Sequence, residues 1–202
     1  NKAFFTANNG ISEAIWATDG TTGGTTLIND PGVGVFGSIL LADAAVLSNK
    51  FIFPVASIFP ERYELWESDG TAGGTQLFKS FDGSQPAFIY VPFDISSSSL
   101  TPTQALFQGN KFFFSASTAA EGNELWISDG TLANTTVVKN INAGAADGLD
   151  PSYLSFTYTS TALFFPATNG ANGVELWKSD GTSGGTTMVA DIVTGTGTSE
   201  PQ

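Results

Sequence analysis

Cysteine and histidine are both absent from the 202 residues, and methionine occurs once. Without cysteine there is neither a disulfide framework nor a thiolate metal site. Without histidine the Ser-His-Asp and Cys-His devices disappear, and with them the usual zinc ligand and the commonest general base near neutral pH. Cations are scarce as well: 7 Lys and Arg stand against 19 Asp and Glu, for a formal net charge of -12. A surface of that sign repels nucleic acid and anionic membranes, so neither is expected as a partner. No apolar run approaches the roughly 18 to 20 residues of a membrane span, and membrane insertion is not expected. The remaining composition, 41% hydrophobic and 13% charged, is that of a folded chain rather than a disordered one.

What is present is a repeat. Ala-Ile-Trp-Ala-Thr-Asp-Gly-Thr ends at Thr21, and Glu-Leu-Trp-x-Ser-Asp-Gly-Thr ends at Thr71, Thr131 and Thr182. All four tryptophans belong to it: Trp16, Trp66, Trp126 and Trp177, spaced by 50, 60 and 51 residues. Units of that length suit propeller blades. A second recurring piece reads Ala3-Phe4-Phe5, Phe51-Ile52-Phe53, Phe112-Phe113-Phe114 and Leu163-Phe164-Phe165, apolar on consecutive positions. Neighbouring strand residues point to opposite faces, so this strand must be covered on both. The fold expected is therefore all-β: a β-propeller-type array of four antiparallel four-stranded blades, with a stacked β-solenoid as its rival. Residues 1–202 form one repeat domain, with units near 1–48, 49–109, 110–159 and 160–202.

Asn49-Lys50 and Asn110-Lys111 mark the turn between the first and second strands, and the chain opens on Asn1-Lys2. The first blade thus lacks one strand, and fifteen of sixteen strands are expected. Asn1 in place of an initiator methionine, with no leader pattern, reads as a processed product or a segment of a longer chain. The partners expected are further repeats of that chain or other copies of it, since an unpaired strand edge is a template for association.

The phrase Glu-Leu-Trp-x-Ser-Asp-Gly-Thr-x-x-Gly-Thr resembles the ELWxxDGT tandem repeat of large bacterial secreted and cell-surface proteins. The match covers all four units, with Ala14-Ile15 in place of Glu-Leu in the first. The resemblance implies a β-propeller-like extracellular module, usually without a defined activity.

Each Asp-Gly-Thr is read as a structural turn, its Asp accepting backbone N–H groups and its Gly taking a positive φ. These residues are Asp19, Gly20 and Thr21; Asp69, Gly70 and Thr71; Asp129, Gly130 and Thr131; Asp180, Gly181 and Thr182. A second threonine follows four residues after the first, at Thr25, Thr75, Thr135 and Thr186. It is preceded by Gly24, Gly74, Asn134 and Gly185, and the Asn suggests a left-handed backbone there. The tryptophans are assigned to packing between blades. Glu64, Glu124 and Glu175 are set around an axis by the repeat, which is poor geometry for a glycosidase pair.

Two segments are candidates for ligands. Phe88, Tyr90 and Phe93 lie in the long stretch that makes the second spacing 60 residues, where aromatics can seat a sugar or a partner. Asp147 and Asp150, on a glycine-rich loop, are the candidates for a weak calcium site; no other cofactor is expected. No catalytic residue is assigned, and the chain is not expected to be an enzyme. The functional expectation is a non-catalytic extracellular scaffold, structural or adhesive, at the cell surface or beyond it. A glycan-binding or glycan-active propeller and a self-assembling subunit of an extracellular filament are the alternatives.

Overall fold

The computed structural model describes residues 2–34, 37–41, 44–47, 49–58, 61–83, 88–89, 110–150, 152 and 155–201. They form four antiparallel sheets, one for each copy of the repeat. Sheet I comprises β1 (Ala3–Asn8), β2 (Glu13–Thr18) and β3 (Thr26–Asn29). Sheet II comprises β4 (Gly37–Ile39), β5 (Ala45–Val46), β6 (Phe51–Ile58), β7 (Glu61–Ser68) and β8 (Gln76–Phe81). Sheet III is β9 (Phe88–Ile89), β10 (Phe112–Thr118), β11 (Gly122–Ser128) and β12 (Thr136–Lys139). Sheet IV is β13 (Thr157–Tyr158), β14 (Leu163–Ala167), β15 (Glu175–Ser179) and β16 (Thr187–Met188).

No ladder joins one of these sheets to another; the outer strands β4, β5, β9 and β13 precede the unit bounds expected near 49, 110 and 160 and pair with the sheet that follows. The four-strand expectation holds for sheets III and IV. Sheet I has three strands, β1 lying at its edge. Sheet II departs from it, because its outer edge is broken into β4 and β5, both paired to β6.

Three hydrophobic clusters lie between consecutive sheets. Ile15, Ala17 and Ile28 of sheet I meet Phe53 and Val55 of sheet II, with Trp66 packed against them. Ile52, Leu65, Phe78 and Phe81 of sheet II meet Phe112, Phe114 and Trp126 of sheet III. Phe113, Leu125, Ile127 and Val138 of sheet III meet Leu163, Phe165 and Trp177 of sheet IV. Within β10, then, Phe112 and Phe114 face backwards and Phe113 faces forwards. That division is the reason three adjacent phenylalanines can sit in one strand and all be buried.

The ladder between the third and fourth-ranked strands slips at the same step in three repeats. Leu125 pairs with Lys139 and Trp126 with Val137, leaving Val138 as the extra residue of a bulge. Leu65 and Trp66 leave out Phe78 in the same way, and Ile15 and Trp16 leave out Ile28. The bulged residue is buried in each case and packs onto the following sheet. A bulge re-aims a side chain, and here it supplies the forward-facing hydrophobe of the strand.

Phe113→Ala removes a ring buried between sheets III and IV and is expected to cost about 3–5 kcal/mol, whereas Leu27→Ala, at an exposed position, is expected to cost less than about 0.5 kcal/mol. Urea unfolding followed by tryptophan fluorescence measures both.

Candidate functional site

The repeated turn is built from side-chain oxygens. In sheet II the Asp69 Oδ1 accepts the Thr71 amide at 2.9 Å and the Thr71 hydroxyl at 2.7 Å. The Thr71 Oγ1 then accepts the Gly74 amide at 3.0 Å, and the Thr75 hydroxyl donates to the Thr71 carbonyl at 2.7 Å. The Ser68 Oγ accepts the Gly70 amide at 3.0 Å and lies 2.7 Å from the Thr75 Oγ1. The same bonds recur around Asp19 and Asp180, with Thr18 and Ser179 in the place of Ser68. Around Asp129, with Ser128 in that place, all recur but one: the Asn134 amide donates to the Thr131 carbonyl at 3.3 Å rather than to its hydroxyl. Gly20, Gly70, Gly130 and Gly181 have φ between 85° and 93°. The threonine hydroxyls, with the threonine amides beside them, hold all four Asp carboxyls below the ordinary carboxylate range.

One expectation about these turns is corrected. Gly24, Gly74 and Gly185 are not in the left-handed region, and neither is Asn134. Glycine is required there because a Cβ would run into the carboxylate of Asp19, Asp69 or Asp180. In sheet III the Asn134 Nδ2 donates to the Asp129 Oδ2 at 2.7 Å, and a single 3-10 turn, Leu132–Asn134, makes the room. The serine that precedes the Asp went unassigned at the sequence level. Its signal was a hydroxyl in all four copies, Ser or Thr.

The tryptophans divide unequally. Trp126 and Trp177 are buried between sheets, and Trp66 is half-buried against the core shared with sheet I. Lys79 places its Nζ 5.4 Å from the Trp126 ring centroid, and Lys139 places its own 5.9 Å from that of Trp177, each reaching forward from the preceding sheet. Trp16 departs from the expected inter-blade position: no core cluster among the described residues lies in front of it, and its Nε1 donates to the Ala7 carbonyl at 3.3 Å.

The glutamates of the phrase hold the chain as it leaves each sheet. The Glu124 Oε1 accepts the Asn142 amide at 3.1 Å. Glu175 accepts the Ile192 and Val193 amides, each at 3.2 Å, and the Ser199 hydroxyl at 2.6 Å. In the first repeat, where Ala14 replaces the glutamate, Glu13 accepts the Ile39 amide at 2.8 Å. Glu64 instead accepts the Trp66 indole N–H at 2.8 Å.

Glu124 and Glu175 are both buried but differ electrostatically. The Ser199 hydroxyl, more than the two amides, keeps the Glu175 carboxyl below its usual range. The equivalent backbone in sheet III is Gly148: its amide bonds the Asn123 carbonyl at 3.0 Å as that of Ser199 bonds Val174 at 3.0 Å. Glycine offers no hydroxyl, the Glu124 Oε2 has no hydrogen-bond partner, and burial pushes this carboxyl up to about 8.

At the end of the sheets opposite the turns, a polar cleft of about 350 Å³ lies between sheets II and III. Glu61, Asp82 and Asp147 line it, together with Ser117 and Thr118. Asp82 accepts the Ala119 amide at 3.1 Å, and the Glu61 Oε1 accepts the Tyr63 hydroxyl at 3.1 Å. Asp147, one of the two calcium candidates, accepts the Asn123 amide at 2.7 Å; Asp150, the other, accepts the Ser152 amide at 2.8 Å. The two carboxylates thus serve separate loop segments, and no group of three or more acidic side chains among the described residues is placed to hold a metal. The cleft suits a small polar or cationic group in contact with solvent. Of the aromatic candidates, Phe88 pairs through its backbone with Ser115, while Tyr90 and Phe93 lie outside the described residues. Among the described residues no helix is long and apolar enough to cross a membrane.

No family model matches the chain, and no curated protein matches it. Among solved structures it is similar to a puromycin hydrolase variant, at 14% identity and a TM-score of 0.49. The match takes in 97% of this chain and 27% of that one, so the chain spans about a quarter of the hydrolase. The expectation that the chain is not an enzyme is corrected here: a solved structure that it is similar to is that of a hydrolase, and the absence of catalysis is withdrawn. A likeness of this degree transfers neither residues nor a reaction.

Two outcomes are expected. Ser128→Ala leaves the Gly130 amide without its acceptor in a buried turn, while the Thr135 hydroxyl keeps its bond to the Thr131 carbonyl, and should cost about 1–3 kcal/mol in urea unfolding. Glu124 has a folded-state carboxyl that ionises near 8, against 4.5 in the ordinary case, so the folded protein holds this proton more tightly than the unfolded chain. Its contribution is complete below pH 4.5 and lost as pH rises towards 8. The urea midpoint should therefore fall across that interval, and Glu124→Gln should flatten it.

Proposed function

We propose that this chain is a propeller-type repeat scaffold of a secreted or cell-surface protein, one that holds loops in fixed positions for binding outside the cell. The observation that carries the reading is the threefold recurrence of one sheet-on-sheet interface in chain order. Stacking of this kind, continued around an axis, is how propeller blades bury sheets that are apolar on both faces. The ELWxxDGT resemblance supports the same reading, because that repeat belongs to bacterial secreted and surface proteins. The absence of cysteine and the charge of -12 suit a soluble particle whose stability rests on packing rather than on disulfides.

In this reading the working surface is the loop end, where the cleft beside Glu61, Asp82 and Asp147 opens to solvent. The turn end is committed to its own hydrogen bonds. Surface glycans and surface proteins are the partners such a module meets, and an acidic polar cleft favours a polar or cationic group over an apolar one.

Protease treatment of intact cells that make the protein tests the location. The chain should be degraded while a cytoplasmic marker survives; protection until the envelope is broken would overturn the reading. Binding of the purified chain to surface polysaccharide and protein fractions from the same habitat should be saturable, and it should weaken several-fold when Glu61 and Asp82 are both changed to Lys.

A further inference from the structure

Four sheets packed in sequence have three interfaces between them and two faces left over. The leftover faces are not arbitrary surfaces, because each has three buried counterparts in the same molecule. On the backward face, Phe53, Phe114 and Phe165 pair with Trp66, Trp126 and Trp177, and all three phenylalanines are 0% exposed. The fourth member, Phe5, pairs with Trp16 on sheet I and is 36% exposed. On the forward face, Ile28, Phe78 and Val138 are 6–7% exposed, while their counterpart Val189 after β16 is 46% exposed. Phe81 and Ile141 are buried, and the matching Ile192 is 61% exposed. The open face of sheet I is thus the inserting half of the internal interface, and the open face of sheet IV is the receiving half.

We infer that these two faces bind each other between copies: a second copy of this chain packs its sheet I, through Phe5 and Trp16, onto sheet IV of the first, against Val189 and Ile192. The occupant follows from continuity with the interface already used three times within the chain. The contact is heterologous, head to tail, because the two halves differ. It leaves the edge of β1 beside the segment that follows β16 of its neighbour, the relation in which each internal sheet receives its outer strand.

Two substitutions set the strength. Lys79 and Lys139 reach over the next tryptophan, but Ala190 stands at their position in the fourth repeat and leaves Trp16 without a cation. Lys178 occupies the place of Ile127, where sheet II also carries a charge, Glu67. The contact between copies is accordingly weaker than those inside and depends on concentration. The inference stands on the packing of the sheets and is independent of where the protein works or what it binds.

Sedimentation velocity of the 202-residue chain tests it. The mass should rise from 21.0 kDa to at least twice that value with concentration. Phe5→Asp, and separately Val189→Asp with Ile192→Asp, should each hold the protein at the monomer mass. An equimolar mixture of the two variants should form a 1:1 complex and nothing larger, because only one intact face of each kind remains. Monomer at every concentration, association that survives either variant, or a mixture that stays monomeric would each overturn the inference. Circular dichroism and thermal unfolding confirm that the variants are folded; where an aspartate variant fails this check, Phe5→Ser and Val189→Ser with Ile192→Ser replace it and the same outcomes apply.

Discussion

The central strands of every repeat are apolar on both sides, and a strand of that kind is stable only when a second sheet lies against each face. Phe112, Phe113 and Phe114 show the demand most directly, since consecutive positions send rings to opposite neighbours and all three are fully buried. From this follow the stacking of the sheets in chain order, the placing of one tryptophan and one phenylalanine on the backward face, and the use of a bulged residue on the forward face. No repeat could satisfy these requirements alone, which ties the stability of each to its neighbours.

The polar part of the structure answers a different problem. An acidic chain must keep its carboxylates solvated or bonded, and here most described ones accept backbone amides or hydroxyls. The four turn aspartates accept a threonine amide and hydroxyl apiece, and Glu175 accepts two amides and a serine. Glu124 is bonded through one oxygen only, and the cause is local: its Oε1 accepts the Asn142 amide, but Gly148 stands where the fourth repeat supplies a hydroxyl, and Oε2 is left without a partner. Two copies of one motif therefore hold carboxyls displaced in opposite directions, which shows how little of a side chain's chemistry is carried by the motif that contains it.

Much of the architecture was legible because it repeats. The strand pairs, the Asp-Gly-Thr turns, the strand missing from sheet I and the burial of Trp126 and Trp177 all follow from four aligned copies. What escaped had a physical reason in each case. Gly24 and its equivalents read as left-handed glycines, because a demand for space beside a carboxylate and a demand for positive φ leave the same residue in the sequence. The glutamates could not be matched to their partners, since the amides they bind lie 17 or 18 residues downstream, in loops without a recurring pattern. The cleft beside Glu61, Asp82 and Asp147 was not visible either, because it draws on two different repeats. Trp16 looked like its three counterparts, but among the described residues no core cluster takes it in.

The spacing that goes with the slipped ladder step, seen at Trp16, Trp66 and Trp126, acts as a ruler. From Trp16 to Ile28, Trp66 to Phe78, Trp126 to Val138 and Trp177 to Val189 the count is always twelve residues, although the repeats themselves differ in length by as many as ten. Adding or deleting a single residue inside that dozen would swing the third strand's hydrophobe to the wrong side and uncouple one sheet from the next. Growth of the repeat is therefore confined to the connections outside it, and variation in length accumulates on the loops while the load path through the stack stays constant.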